Sequence, residues 1–243
     1  HIVTNDNSVN DMIIQIIIDA LTMINDKSSI SEMQKTIEEL VIQRDNVDLF
    51  KVIIKSASAN KNLDEKHCHE IIKDLIGFNS INCIKYIFDS HCNKDSNETE
   101  KCPIKVPDRN YLDYAIAFGA IDVTKFFIQL GIYQFHFDCL VKSASNLQML
   151  ELCYLYYPKQ ITNNFCKASD KPDNIFKEMV DQNSYESFLF LSHLPNVNMN
   201  VKFSLYSPFS DAKRAKDKRI IAACYRHPQY DFTSTSFQAS DAI

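Results

Sequence analysis

Residues 110–131 read NYLDYAIAFGAIDVTKFFIQLG, and this stretch decides the fold. It contains two short helical patterns back to back. Ala115 and Ile116 supply the small and apolar core of the first. Gly119 breaks the pattern. Val123, Phe126, Phe127 and Ile128 fill the second, and Gly131 stops it. The reading predicts helices over 111–118 and 121–130. A helix of about eight residues is not stable alone in water, so each must bury a face against a partner. A pair this short also needs neighbouring pairs, which makes the stretch a candidate repeat unit.

Five further segments fit the same frame. With the residue matching Val123 as marker, they centre on Leu49, Cys83, Met149, Ser187 and Ile220. Successive markers are 34, 40, 26, 38 and 33 residues apart, a mean of 34.2. Helical repeats of the tetratricopeptide and ankyrin types have periods of about 33–34. The tetratricopeptide pattern requires Trp in its first helix, and this chain has none.

Ser207-Pro208-Phe209 with Ala212, and Leu112, Ala115 and Gly119 after Asn110, match the opening of an ankyrin repeat. Pro195-Asn196-Val197-Asn198 and Pro228-Gln229-Tyr230-Asp231 match the turn that leads into the next finger. From about Thr36 onward the chain resembles the divergent ankyrin-like repeats abundant in some unicellular eukaryotes. The resemblance implies an all-α, ankyrin-type repeat solenoid with short or irregular fingers. It would comprise N-terminal capping helices over 1–43 and about six degenerate repeats over 44–243. Standard repeats place Gly at the inter-helix turn and after the second helix, where φ is positive. Only Gly77, Gly119 and Gly131 exist here. The remaining turns carry Asn79, Ser145, Asn183 and Lys216; Asn reaches the left-handed region at modest cost, Ser and Lys at more. Irregular turns are therefore expected.

Met12–Ile24, MIIQIIIDALTMI, is the most apolar run. It falls short of the roughly 20 residues of a spanning helix and is expected to be a buried first helix. Capping-box spacings at 31–34 and 36–39 predict a second helix that ends near Gln43. Residues 93–110 form a polar insertion with two Pro, expected to be an extended finger or loop. The alternation of Tyr133, Phe135 and Phe137, with His136 between, suits a β-strand in a finger.

The net charge of −5 argues against a bulk nucleic-acid binder. Eight Cys are scattered without a disulfide framework, and Cys83, Cys153 and Cys224 fall at apolar helix positions. No secretory signal is visible, so a cytoplasmic protein is expected. Because the sequence opens on His1 and not on Met, it is expected to continue upstream. His67, Cys68, His69, His91, Cys92 and Cys102 are the densest group of metal-capable residues, but they follow no zinc-finger spacing, and no metal or cofactor is assigned. No phosphate-cradling loop and no hydrolase motif is present, so no catalytic residue is assigned and the chain is not expected to be an enzyme.

The resemblance implies a scaffold that binds an unidentified protein partner on a concave face, with no small-molecule substrate. Carried over by register, the partner-binding positions are Tyr114, Ala117 and Phe118, then Asp211 and Arg214 (with Ala215) in the last repeat. Phe135 joins them from the finger. Two alternatives stand beside this: a repeat module of a larger enzyme or effector, and an anion binder acting through the basic run 213–219. The latter would take nucleic acid or anionic lipid.

Overall fold

The computed structural model describes Met12 and residues 36–59, 64–92, 102–166, 175–194 and 217–226. Every regular element among them is an α-helix. The chain divides into two compact units, His1–Tyr111 and Leu112–Ile243.

The first unit contains α1 (36–43), α2 (Val47–Ala59), α3 (Glu65–Gly77) and α4 (Ile81–Cys92). Asp64 caps α3: its carboxylate accepts the His67 N–H at 2.7 Å. The turns after α1 and α3 are built alike. Asp45 (φ 50°) and Asn79 (φ 55°) are left-handed. The Asp45 N–H bonds to the Ile42 carbonyl and the Asn46 N–H to Val41; Asn79 bonds to Ile76 and Ser80 to Leu75. Each is a Schellman ending, with bonds reaching three and five residues back. The residue that closes one helix also opens the next, since the Asn46 and Ser80 carbonyls accept from Phe50 and Ile84. Helix α1 ends at residue 43 as expected for a cap. It is joined to α2, however, by the same turn that joins α3 to α4, and so serves as the first helix of a pair.

These two turns sit on one another. The Asp45 carboxylate accepts from the backbone N–H groups of Asn82 and Cys83, both at 2.9 Å, and from Asn82 Nδ2 at 2.8 Å. The Ser80 hydroxyl donates to the Ile42 carbonyl at 2.6 Å. Helix α2 packs on α4. Val41, Ile72, Leu75, Ile76, Ile84 and Ile87 are fully buried between the helices. The described part of the insertion, 102–110, is non-helical, yet it is not a free loop: Cys102, Ile104 and Pro107 are buried.

The second unit contains α5 (Tyr111–Phe118, whose first residue ends the first unit) and α6 (Ile121–Leu130), matching the predicted spans. Then follow α7 (Phe137–Lys142), α8 (Leu147–Tyr156), α9 (Pro158–Cys166), α10 (Ile175–Asp181), α11 (Tyr185–Ser192) and α12 (Lys218–Arg226). Gly119 (φ 72°) and Asn183 (φ 55°) make the same turn as Asp45 and Asn79. The bonds run Gly119 to Ile116, Ala120 to Ala115, Asn183 to Val180 and Ser184 to Met179. Gly131 (φ 66°) ends α6. Ala115 is fully buried, as its register requires.

Here too the turns at Gly119 and Asn183 meet the following pair. A Cβ on Gly119 would lie 2.9 Å from Asn146 Nδ2. Asn183 Oδ1 accepts from Arg219 Nη2 at 2.9 Å. Second helices follow one another, α6 on α8, α8 on α11 and α11 on α12, while the first helix α7 packs against α10. All six marker residues, Leu49, Cys83, Val123, Met149, Ser187 and Ile220, are buried.

Two elements differ from the sequence reading. Residues 133–137 form no strand: His136 precedes α7 and Phe137 begins it. No strand exists among the described residues to pair with this segment, and an unpaired strand leaves its backbone groups unsatisfied. Helix α9 was not anticipated. It packs on α7 and α8 through the fully buried Ile161. Pro158 at its first position is a recognised start signal. The apolar run 12–24 apart from Met12, the fragment 208–215 with Ala212, and the finger turns at 195–198 and 228–231 lie outside the described residues.

Candidate partner-binding surface

Tyr114 and Ala117 are half-buried on α5. Phe118 ends that helix 54% exposed, directly before the left-handed Gly119. A glycine in this turn leaves no side chain to shield the ring. Phe135 is not on the surface: it is buried and stacked on Tyr157, with ring centroids 4.5 Å apart and planes 11° from parallel. Its neighbour Tyr133 meets the Phe127 ring edge-on at 5.2 Å. These two aromatics therefore pack inward and hold the connecting segment to α6 and to Tyr157, the residue after α8. Asp211, Arg214 and the run 213–216 lie outside the described residues. Lys218 and Arg219, the end of that basic run, are exposed on α12. Arg219 stacks over Tyr185 at 5.1 Å while it holds Asn183.

Sequence reading passed over two exposed apolar residues, Leu155 (72% exposed) and Tyr156 (47%), at the end of α8. The signal was present. Met149, Leu150 and Cys153 define the buried face of α8, and helical spacing turns 155 away from it, while 156 stands at the edge of that face in the last position of the helix.

Asp113, His136 and Cys139 also come together. His136 Nδ1 lies 2.7 Å from Asp113 Oδ2, and the Cys139 thiol donates to the His136 carbonyl at 2.6 Å. This is not an activated nucleophile. The sulfur addresses the backbone carbonyl of His136, with the Asp113 carboxylate beside it. Burial and the Asp113 carboxylate push the thiol well above its ordinary range, so it stays protonated. Burial likewise raises Cys153 and Cys224 to about 12. Cys83, Cys153 and Cys224 are completely buried, small apolar fillers as their register predicts.

Of the possible metal ligands, Cys68, His69 and Cys102 are buried and His67 half-buried; the side chains of His91 and Cys92 lie outside the described residues. Among the described residues no three His, Cys, Asp or Glu side chains converge as a metal site. No helix among them is long and apolar enough to cross a membrane. Comparison with family models, with curated proteins and with solved structures returns no match.

Proposed function

We propose that this chain is a divergent ankyrin-type repeat solenoid that acts as a cytoplasmic protein–protein interaction scaffold. One observation carries the reading. The same left-handed turn recurs at Asp45, Asn79, Gly119 and Asn183, and the turns at 45, 119 and 183 each meet the following pair. Stacked helix pairs of this kind present a broad surface of variable residues and no deep cleft. The binding surface is the α5 face and the turn beside it. Phe118 is its anchor, with Tyr114 and Ala117 alongside; Asp211 and Arg214, which the resemblance adds, lie outside the described residues. An exposed aromatic ring on a rigid helix end is a residue type that dominates interface energetics, and its truncation costs about 2 kcal/mol or more at a hot spot.

The test is affinity capture from source-cell extract, followed by binding measurements on the captured partner with Phe118→Ala and Tyr114→Ala at matched stability. Phe118→Ala is expected to weaken binding by about 30-fold. Parental affinity in both variants would remove the α5 face from consideration.

A further inference from the structure

Helix α12, Lys218–Arg226, contains no Asp or Glu. Asp217 precedes it, but that carboxylate is turned onto the helix itself. It accepts the N–H groups of Arg219 and Ile220, and its side chain is only 8% exposed. Ile220 and Cys224 form the buried side of α12, which packs on α11. Lys218, Ala222 and Arg226 follow one another at intervals of four, so they line the opposite side. Lys218 and Arg226 are exposed, and about 12 Å of helix separates them. Arg219 stands beside this line with its side chain 52% exposed, 3.7 Å from Asp217 and held by Tyr185 and Asn183. Among the described residues no ion pair engages Lys218 or Arg226, and Glu186, exposed on α11, pairs with neither. Helix stability does not call for cations at 218 and 219, since a first turn favours negative charge; only Arg226, in the last turn, suits the helix dipole. By sequence, residues 213–226 hold six Lys or Arg and one Asp, in a chain whose net charge is −5.

We propose that the outer face of α12 is a docking site for an acidic segment of a partner protein, a second surface distinct from the α5 face. Carboxylates of the segment pair with Lys218 and Arg226. Ala222 between them is short and lets the partner come close. Arg219, already fixed over Tyr185, keeps further N–H donors in a rigid fork that suits a carboxylate. Two other anionic partners fit less well. A bilayer surface is held by a basic helix that also inserts an apolar face, and here Ile220 and Cys224 are buried within the fold. A nucleic-acid binder carries a basic balance over the whole domain, and this chain is acidic. The choice of a protein partner rests in part on the scaffold reading; the cationic face does not.

Fluorescence anisotropy with the full chain and a labelled peptide of four Glu-Ala-Ala-Ala repeats tests this. The peptide is expected to bind at low ionic strength and to weaken as salt is added. Lys218→Ala combined with Arg226→Ala should lower its affinity by about tenfold. Lys142→Ala combined with Lys159→Ala removes two exposed cations elsewhere and should change it by less than about twofold. Phe118→Ala should leave the peptide's affinity unchanged, so this site and the α5 face fail separately. Absence of binding at low ionic strength overturns the proposal, as does an equal loss in the two double variants or no loss in the first. Single-stranded DNA of ten nucleotides and vesicles of phosphatidylserine with phosphatidylcholine are the comparison probes. Tighter binding of either, lost in the Lys218→Ala, Arg226→Ala variant, would make the face a nucleic-acid or lipid site and overturn the acidic protein partner.

Discussion

Two turns of the second unit, at Asn183 and at Ser145, occupy the same register and are built differently. At Asn183 the backbone turns left-handed and closes α10 with two reaching-back bonds. At Ser145 the φ angle is not positive, and the bonds are short ones, Ala144 to Val141 and Asn146 to Ser143. The helix before it, α7, has six residues. Yet the following helix is placed equally well. Asn146 caps α8 through its side chain, Met149 is fully buried, and α8 packs on both α6 and α11. The second helix is thus kept in both pairs, with a side-chain cap at Asn146 and without one at Ser184. The first helix and its turn can degrade, provided something fills the space. Helix α9 fills it, packing on α7 and α8 through Ile161.

The largest expected effect attacks that compensation. Ile161→Ala should cost about 2–5 kcal/mol, as for a buried aliphatic in a regular core. Met179→Ala in α10 is the matched control, equally buried in a regular pair. Chemical denaturation of the two variants compares them. A cost below about 0.5 kcal/mol for Ile161→Ala would make α9 an ornament and leave the short α7 unexplained.

Next comes the point where a turn touches its neighbour. Gly119→Ala forces a left-handed Ala and drives its Cβ to 2.9 Å from Asn146 Nδ2, the residue that caps α8. The expected cost is about 1–3 kcal/mol, from backbone strain plus a disturbed cap. Gly131→Ala is left-handed as well but meets nothing within 4 Å, so it should cost less. Equal melting temperatures for the two would mean that the turn-to-turn contact contributes nothing.

Much of this was legible. The spans of α5 and α6 follow from Gly119 and Gly131, because glycine marks the left-handed positions and apolar spacing fills the helices between. Asn79 and Asn183 were readable for the same reason, their side chains tolerating positive φ. Asp45 was missed because an Asp-Asn pair serves equally as a helix cap or a solvated loop. Nothing local distinguishes the carboxylate that will reach Asn82, 37 residues on. The 133–137 segment misled because alternation of aromatics describes side-chain facing and says nothing of a partner strand. Phe135 found a stacking partner in Tyr157, 22 residues away, and that pairing removed it from the candidate surface. Phe118 stayed exposed because its position at the helix end, before a glycine, leaves it uncovered.

A smaller effect separates the two functions of Asn183. Asn183→Ala keeps neither the tolerance for positive φ nor the acceptor for Arg219, and should cost about 1 kcal/mol or slightly more. Asn183→Gly restores the backbone and loses only an exposed hydrogen bond, so it should lie within about 0.5 kcal/mol of the parent. If Gly proves as damaging as Ala, the bond to Arg219 matters more than the turn.

Ser145→Gly is the smallest and the most direct test of the comparison. In a repeat with a left-handed residue at this position, replacing Ser by Gly would relieve strain and stabilise by about 1 kcal/mol. In the structure Ser145 is exposed and does not adopt positive φ, so there is no strain to relieve. Glycine then only widens the conformational freedom of the unfolded chain. The expected result is a loss of a few tenths of a kcal/mol, up to about 0.5. The cap at Asn146 should be unaffected, since its side chain bonds forward to Met149 and not back to residue 145. Denaturation midpoints at matched slope resolve the sign. A gain near 1 kcal/mol would place a left-handed turn at 145 after all, and the contrast with Asn183 would collapse into one turn written with two residues.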